Sequence, residues 1–177
     1  MARSQYFRVT EPHIPTYGVS PILSPPRRLV LEPVADAVGQ GPLWITGNEK
    51  LLGQGIKRAM LDFRSREPDI ESIRRESEQL VLDGFTLVCG IHSEAHREMA
   101  TMPLKWGASR ILVLAGGLRF HLGEHLNREP FTLARWWRYE FDPTTDLAIS
   151  LAPGLDDPAP ATRVRLVEQV IKLLGES

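Results

Sequence analysis

The sequence predicts an α/β chain: a doubly wound, mostly parallel sheet with helices on both faces. Three observations carry this. Short apolar runs alternate with longer amphipathic stretches, the order expected of β-α units. The clearest run, "SRILVLAGG" at 109–117, is apolar without alternation, as a strand buried on both faces must be. The first three runs each break into glycine, at Gly47, Gly90 and Gly116-Gly117. In such sheets ligands bind beyond the carboxyl ends of the strands, so all three glycine turns are expected on one binding edge.

The elements follow in order. Residues 1–41 carry Pro12, Pro15, Pro21, Pro25, Pro26 and Pro33, which remove backbone donors and disfavour helix before them. They read as an extended arm with a short helical turn around 29–38. Its apolar beads (Tyr6, Phe7, Ile14, Tyr17, Ile22, Leu23) would lay it on the core. The remainder, 42–177, reads as one domain. "PLWITGN" is a buried strand and turn, and helices are expected over 51–64 and 70–83. In the second, Ile73, Leu80 and Val81 share one face. "GFTLVCG" is the second strand, "HSEAHREMATMPLKWG" a helix that Pro103 ends or bends, and 109–117 the third strand. "TLARWWRYEF" fits a helix or an edge segment. "DLAISLAPG" is a fourth strand and "PATRVRLVEQVIKLLGES" a last amphipathic helix.

Composition narrows the function. At 177 residues, 42% of them hydrophobic, the chain can bury one good core. Lys+Arg number 21 against 22 Asp+Glu, so no global basic field marks a nucleic-acid partner, though local patches remain open. One cysteine excludes an intrachain disulfide. No apolar run approaches the roughly 20 residues of a membrane span, and no signal-like stretch opens the chain. A cytoplasmic protein without membrane contact is expected.

Taken in order, "LWITGNEK", "VCGIHSEAHREM" and "ILVLAGGL", followed by "WWRYEFDPTTDLAISLAPG", resemble the Rossmann-like core of the DNA-processing protein A (DprA, or Smf) family. The likeness runs over about residues 42–170. It implies a nucleotide or single-stranded DNA ligand, a DNA-processing or recombination setting with a recombinase such as RecA, and a homo-oligomer. Two stretches depart from the family. Glu49 follows Gly47-Asn48 where the family has arginine, with Lys50 one place on. "GIHSEAH" replaces the longer Gly-x-Ala-x-Gly-Ile-Asp loop. The Pro-Gly-Gly-x-Gly-Thr-x-x-Glu signature of the related phosphoribohydrolases is nowhere in the chain.

The candidate site comprises Gly47, Asn48, Lys50, Gly90, Ile91, His92, Ser93, Arg97, Gly116, Gly117 and Arg119. Backbone N–H groups of 90–93 would face an anion at a helix start, with Lys50, Arg97 and Arg119 supplying charge. Ser93 is either a helix cap or a phosphate donor. Glu94 would repel a phosphate.

His92 and His96, like His121 and His125, stand four apart and could ligate zinc with Glu94, Glu124 or Cys89. No third ligand is assured, so neither metal nor cofactor is expected, and Cys89 reads as a small buried hydrophobe. Trp136-Trp137 between Arg135 and Arg138 could stack bases. The sequence favours the plainer reading, an aromatic core with solvated arginines. The leading expectation is a non-catalytic binding domain. A metal-dependent or nucleoside-phosphate hydrolase and a non-catalytic interaction scaffold stand as alternatives.

Overall fold

The computed structural model describes residues 9–10, 25–57, 69–138 and 140–176. Seven strands form one sheet: β1 (Val9–Thr10), β2 (Arg27–Leu31), β3 (Leu43–Gly47), β4 (Ile56–Lys57), β5 (Thr86–Cys89), β6 (Arg110–Leu114) and β7 (Leu147–Ser150), in the spatial order β1-β2-β3-β7-β6-β5-β4. The four strands from β4 to β7 run parallel. β5, β6 and β7 are buried at every position, which is why their sequences show no alternation.

Among the described residues five helices pack on the two faces: α1 (Glu32–Val38), α2 (Ile70–Leu82), α3 (Glu94–Lys105), α4 (Leu118–Leu122) and α5 (Val164–Gly175). The pleat sorts the core. Ile111, Val113, Leu147 and Ile149 point to the face of α1 and α5, among Val34, Val167, Val170, Ile171 and Leu174. Leu112, Leu114 and Ala148 point to the other, among Met99, Leu104, Leu118, Leu122 and Phe141. The fold is Rossmann-like, with helices on both faces of a largely parallel sheet. Among the described residues no helix is long and apolar enough to cross a membrane.

Local chemistry sets the element ends. Asp69 caps α2 by accepting the Glu71 N–H at 3.2 Å, and Ser93 caps α3 by accepting that of His96 at 3.3 Å. α3 ends at Lys105, two residues past Pro103, whose ring removes a helical donor. The helical turn expected near 29–38 is α1, and β2 before it places Leu29 and Leu31 in the core. The apolar beads at 6–23 lie outside the described residues.

Two expectations are corrected. The first concerns 51–64, expected as helix. Its described part is a 3-10 turn at Glu49–Gly53 followed by β4, so the first parallel strand is Ile56–Lys57. The second is the common glycine edge. β3 runs antiparallel to β7, pairing Gly47 with Leu147 at the start of that strand. Gly47 therefore lies on the amino edge of the parallel strands, opposite Gly90 and Gly116. The close approach there requires glycine: φ is +113°, and a Cβ would meet the Asp146 carbonyl oxygen at 2.1 Å.

Candidate nucleic-acid interface

The split of the glycines divides the candidate residues. Gly47, Asn48 and Lys50 are structural parts of the amino edge. Asn48 donates its N–H to Asp146 O at 2.8 Å and caps the 3-10 turn by accepting the Lys50 N–H at 3.2 Å. Glu49, in the place of the family's arginine, pairs with Arg27 of β2. Gly90, Ile91, His92, Ser93, Arg97, Gly116, Gly117 and Arg119 are brought together at the carboxyl edge, on the loops and helix starts after β5 and β6.

Four backbone donors of that edge already have partners. Gly90 N–H donates to His96 Nδ1 at 3.0 Å, and Gly116 N–H donates to His121 Nε2 at 3.1 Å. One histidine of each His-x-x-x-His pair thus closes the glycine turn before it. The loop after β7 closes the next two groups: Gly117 N–H donates to Asp157 O and Arg119 N–H to Leu155 O, both at 2.8 Å. The fit is close. A Cβ on Gly117 would meet Leu155 O at 2.1 Å. Ser150 adds a hydroxyl bond to Gly116 O at 2.8 Å, and Arg163 donates to Ala115 O at 2.6 Å. The chain's own carbonyls stand where phosphate oxygens would accept from a glycine cradle.

His92 and His96 converge with Glu168 of α5, a residue that the sequence analysis missed. His92 Nε2 lies 2.6 Å and His96 Nε2 2.9 Å from Glu168 Oε1. Burial opposes the Glu168 charge, but the two imidazole hydrogen bonds prevail and hold its carboxyl down at about 2. Glu168 borders the buried stripe Val167, Val170, Ile171 and Leu174 of α5. An acid at the margin of an apolar stripe was its only sequence signal.

Two imidazoles and a carboxylate, with ligand atoms within 4.8 Å of one another, are the donor set of a divalent-ion site. The hydrogen bond at Gly90 argues against one. A metal on His96 Nε2 would leave the proton on Nδ1, facing the Gly90 N–H 3.0 Å away, donor against donor. With Nδ1 accepting, Nε2 carries the hydrogen and donates to Glu168. The expected outcome is that elemental analysis of the purified protein finds far less than one zinc per chain. Near-stoichiometric zinc, lost in a His92→Ala/His96→Ala variant, would reverse this assignment.

Cys89 is fully buried in β5, its thiol pushed up to about 12 by burial, so it offers neither nucleophile nor ligand at neutral pH. Arg97 is exposed on α3. Arg119 is exposed on α4 and pairs with Asp156 at 3.0 Å beside a cleft of about 600 Å³ that His125 also lines. The tryptophan pair corrects the aromatic-core expectation. Trp136 is 84% and Trp137 54% exposed. Arg138, expected in solvent, turns inward to Asp146.

Fold and edge together define the class, a Rossmann-like domain whose carboxyl-edge glycine turns are held by its own histidines and loop carbonyls, with Arg97 and Arg119 exposed beside them. Comparison with known proteins makes the likeness particular. No protein-family model matches the chain, and a search of curated proteins finds no match.

Two solved structures share its fold. One is DNA processing protein A from Helicobacter pylori, described for its single-stranded DNA binding mode. It superposes with a TM-score of 0.55 at 15% identity, over 76% of this chain and 57% of that one. The other is DNA processing protein A (DprA) from Streptococcus pneumoniae, with a TM-score of 0.59 at 14% identity, over 97% of this chain and 52% of that one. The chain has a DprA-like fold, and it spans little more than half the length of either structure.

Proposed function

We propose that the chain is a non-catalytic, DprA-like protein that binds single-stranded DNA through exposed side chains around the carboxyl edge of its parallel strands. The likeness to DNA processing protein A, one example of which is described as binding single-stranded DNA, carries this reading. The site geometry favours a polymer over a mononucleotide. A nucleotide held by backbone amides needs an open glycine cradle. Gly90, Gly116 and Gly117 instead donate to His96, His121 and Asp157. Arg97 and Arg119 stay exposed, suited to phosphates of a strand passing outside. Lys50, on the opposite edge, drops out of the set.

The hydrolase alternative finds no free base in the His92–His96 cluster. His92 Nε2 is bound to Glu168, and its Nδ1 is packed against Gly90, 2.6 Å from where a Cβ would sit. A cytoplasmic role in recombination, beside a recombinase such as RecA and in a homo-oligomer, belongs to the same proposal and rests on the fold likeness alone.

Binding should be weak and salt-sensitive, with a dissociation constant of about 1–100 μM. Each phosphate contact on a single strand contributes a log–log salt slope of about −0.7. The Arg97→Ala/Arg119→Ala variant should therefore flatten the slope by about 1.4 while the protein stays folded. Fluorescence anisotropy with a labelled oligothymidine between low and moderate salt measures both. No salt-sensitive binding at low ionic strength would refute the proposal.

A further inference from the structure

The exposed tryptophans stand over a groove that shares only Arg97 with the edge just described. α3 forms its floor and the 3-10 turn Leu133–Trp136, with Trp137 after it, one wall. The volume is about 750 Å³. Trp136 and Trp137 are 84% and 54% exposed, which leaves much of their ring surface open to contact with something else.

The chemistry of the groove selects the partner. Arg97, Thr101 and Lys105 line it at four-residue steps, one stripe of α3 about 12 Å long at 1.5 Å per residue. The stripe carries a cation at each end. The Lys105 ammonium lies 5.2 Å from the centre of the Trp137 ring, so charge and π-face are already adjacent. Glu98, which would oppose an anion, is engaged by Arg74 at 3.2 Å. With that pair set aside, Arg97 and Lys105 stand against Glu94 among the groove's charged side chains. Flat aromatic surface beside a spaced row of cations is the arrangement that holds unpaired bases by stacking and their backbone by charge. An acidic peptide would use the cations but not the ring faces.

We infer that the α3 groove is a stacking platform for single-stranded nucleic acid, with bases on Trp136 and Trp137 and phosphates on Arg97 and Lys105. This rests on the single-strand reading above and adds a surface to it. Because ring faces do not discriminate between bases, the platform should show little sequence preference.

Anisotropy titrations of labelled oligothymidine against the full chain, with Trp136→Ala, Trp137→Ala and Lys105→Ala variants, test it. Each tryptophan variant should bind on the order of tenfold more weakly with an unchanged salt slope, since stacking releases no counterions. Trp→Phe at either position should restore most of the loss. Lys105→Ala should instead flatten the slope by about 0.7. Exposure predicts thermal unfolding within a degree or two of the parent for both tryptophan-to-alanine variants, of the order of the small effects of surface substitutions.

Salt-sensitive binding that survives unchanged in the Trp136→Ala/Trp137→Ala double variant would overturn the groove and leave the carboxyl-edge reading standing. Absence of binding in the parent at every salt concentration would overturn both. Concentration-dependent dimerisation abolished by the double variant, with DNA binding unaltered, would assign the face to a second copy of the chain instead.

Discussion

Replacing Arg110 with methionine should lower the stability of the fold by about 3–5 kcal/mol, the usual result of removing one partner from a buried ion network. Arg110 opens β6 and is fully buried, as are Glu129 and Asp146. Its Nε donates to Asp146 at 2.8 Å, one Nη to the Ala100 carbonyl at 3.0 Å, and the other to Glu129. One guanidinium therefore ties α3, β6, the start of β7 and the segment bearing Glu129. Without it two buried carboxylates lose the guanidinium that ties them together. Arg138 reaches Asp146 from outside. Urea denaturation of the variant measures the loss. Apolar replacements at Glu129 and Asp146 in the same chain should recover part of it, because a matched apolar set leaves no orphaned charge. A loss below about 1 kcal/mol would show that the network does not hold the amino edge together.

That network also explains why the two sheet edges differ. The amino edge is built from buried charge and from the tight Gly47–Asp146 junction. At the carboxyl edge Gly90 and Gly116 donate to histidines, and Gly117 and Arg119 to loop carbonyls. Arg97 of α3 and Arg119 of α4 lie exposed beside it.

The sheet was legible because burial on both faces writes itself as unbroken apolar runs, and β5, β6 and β7 fell where those runs predicted. Strand direction was not. "LWITG" is as apolar as a parallel strand, and nothing in its composition records that it pairs antiparallel with β7. The error carried Gly47, Asn48 and Lys50 to the wrong edge. Ser93 was legible as a cap because the serine precedes a helical pattern, whereas Glu168 was not, since its partners lie 72 and 76 residues away. Arg110 gave no signal, because an arginine heading an apolar run looks the same whether it meets water or two carboxylates. The tryptophans misled for a general reason: large aromatics are usually buried, and the exception here is where a partner is expected.

Between pH 6.5 and 4 the chain should lose stability on the order of 2–3 kcal/mol through His121 alone. Burial, then the nearby Arg128 charge, push this imidazole down to about 4 from its ordinary 6.5. The geometry demands the neutral ring, because Nε2 accepts the Gly116 N–H and a proton there would meet a donor. The unfolded chain therefore binds a proton in this window that the native chain does not, and stability falls as pH falls. The contribution is complete above pH 6.5 and gone below 4. Glu168 acts lower: its contribution is complete above 4.5 and is lost only as pH falls through about 2.

The difference between parent and variant isolates His121 from other titrating groups. His121→Gln keeps a side-chain acceptor for Gly116 and removes the titration. Urea midpoints at pH 7, 5.5 and 4 should diverge, the parent losing more than the variant in each step. Parallel losses in the two proteins would mean that His121 is not what closes the Gly116 turn. The turn would then depend on the Leu155–Asp157 carbonyls, whose bonds to Gly117 and Arg119 do not titrate in this range.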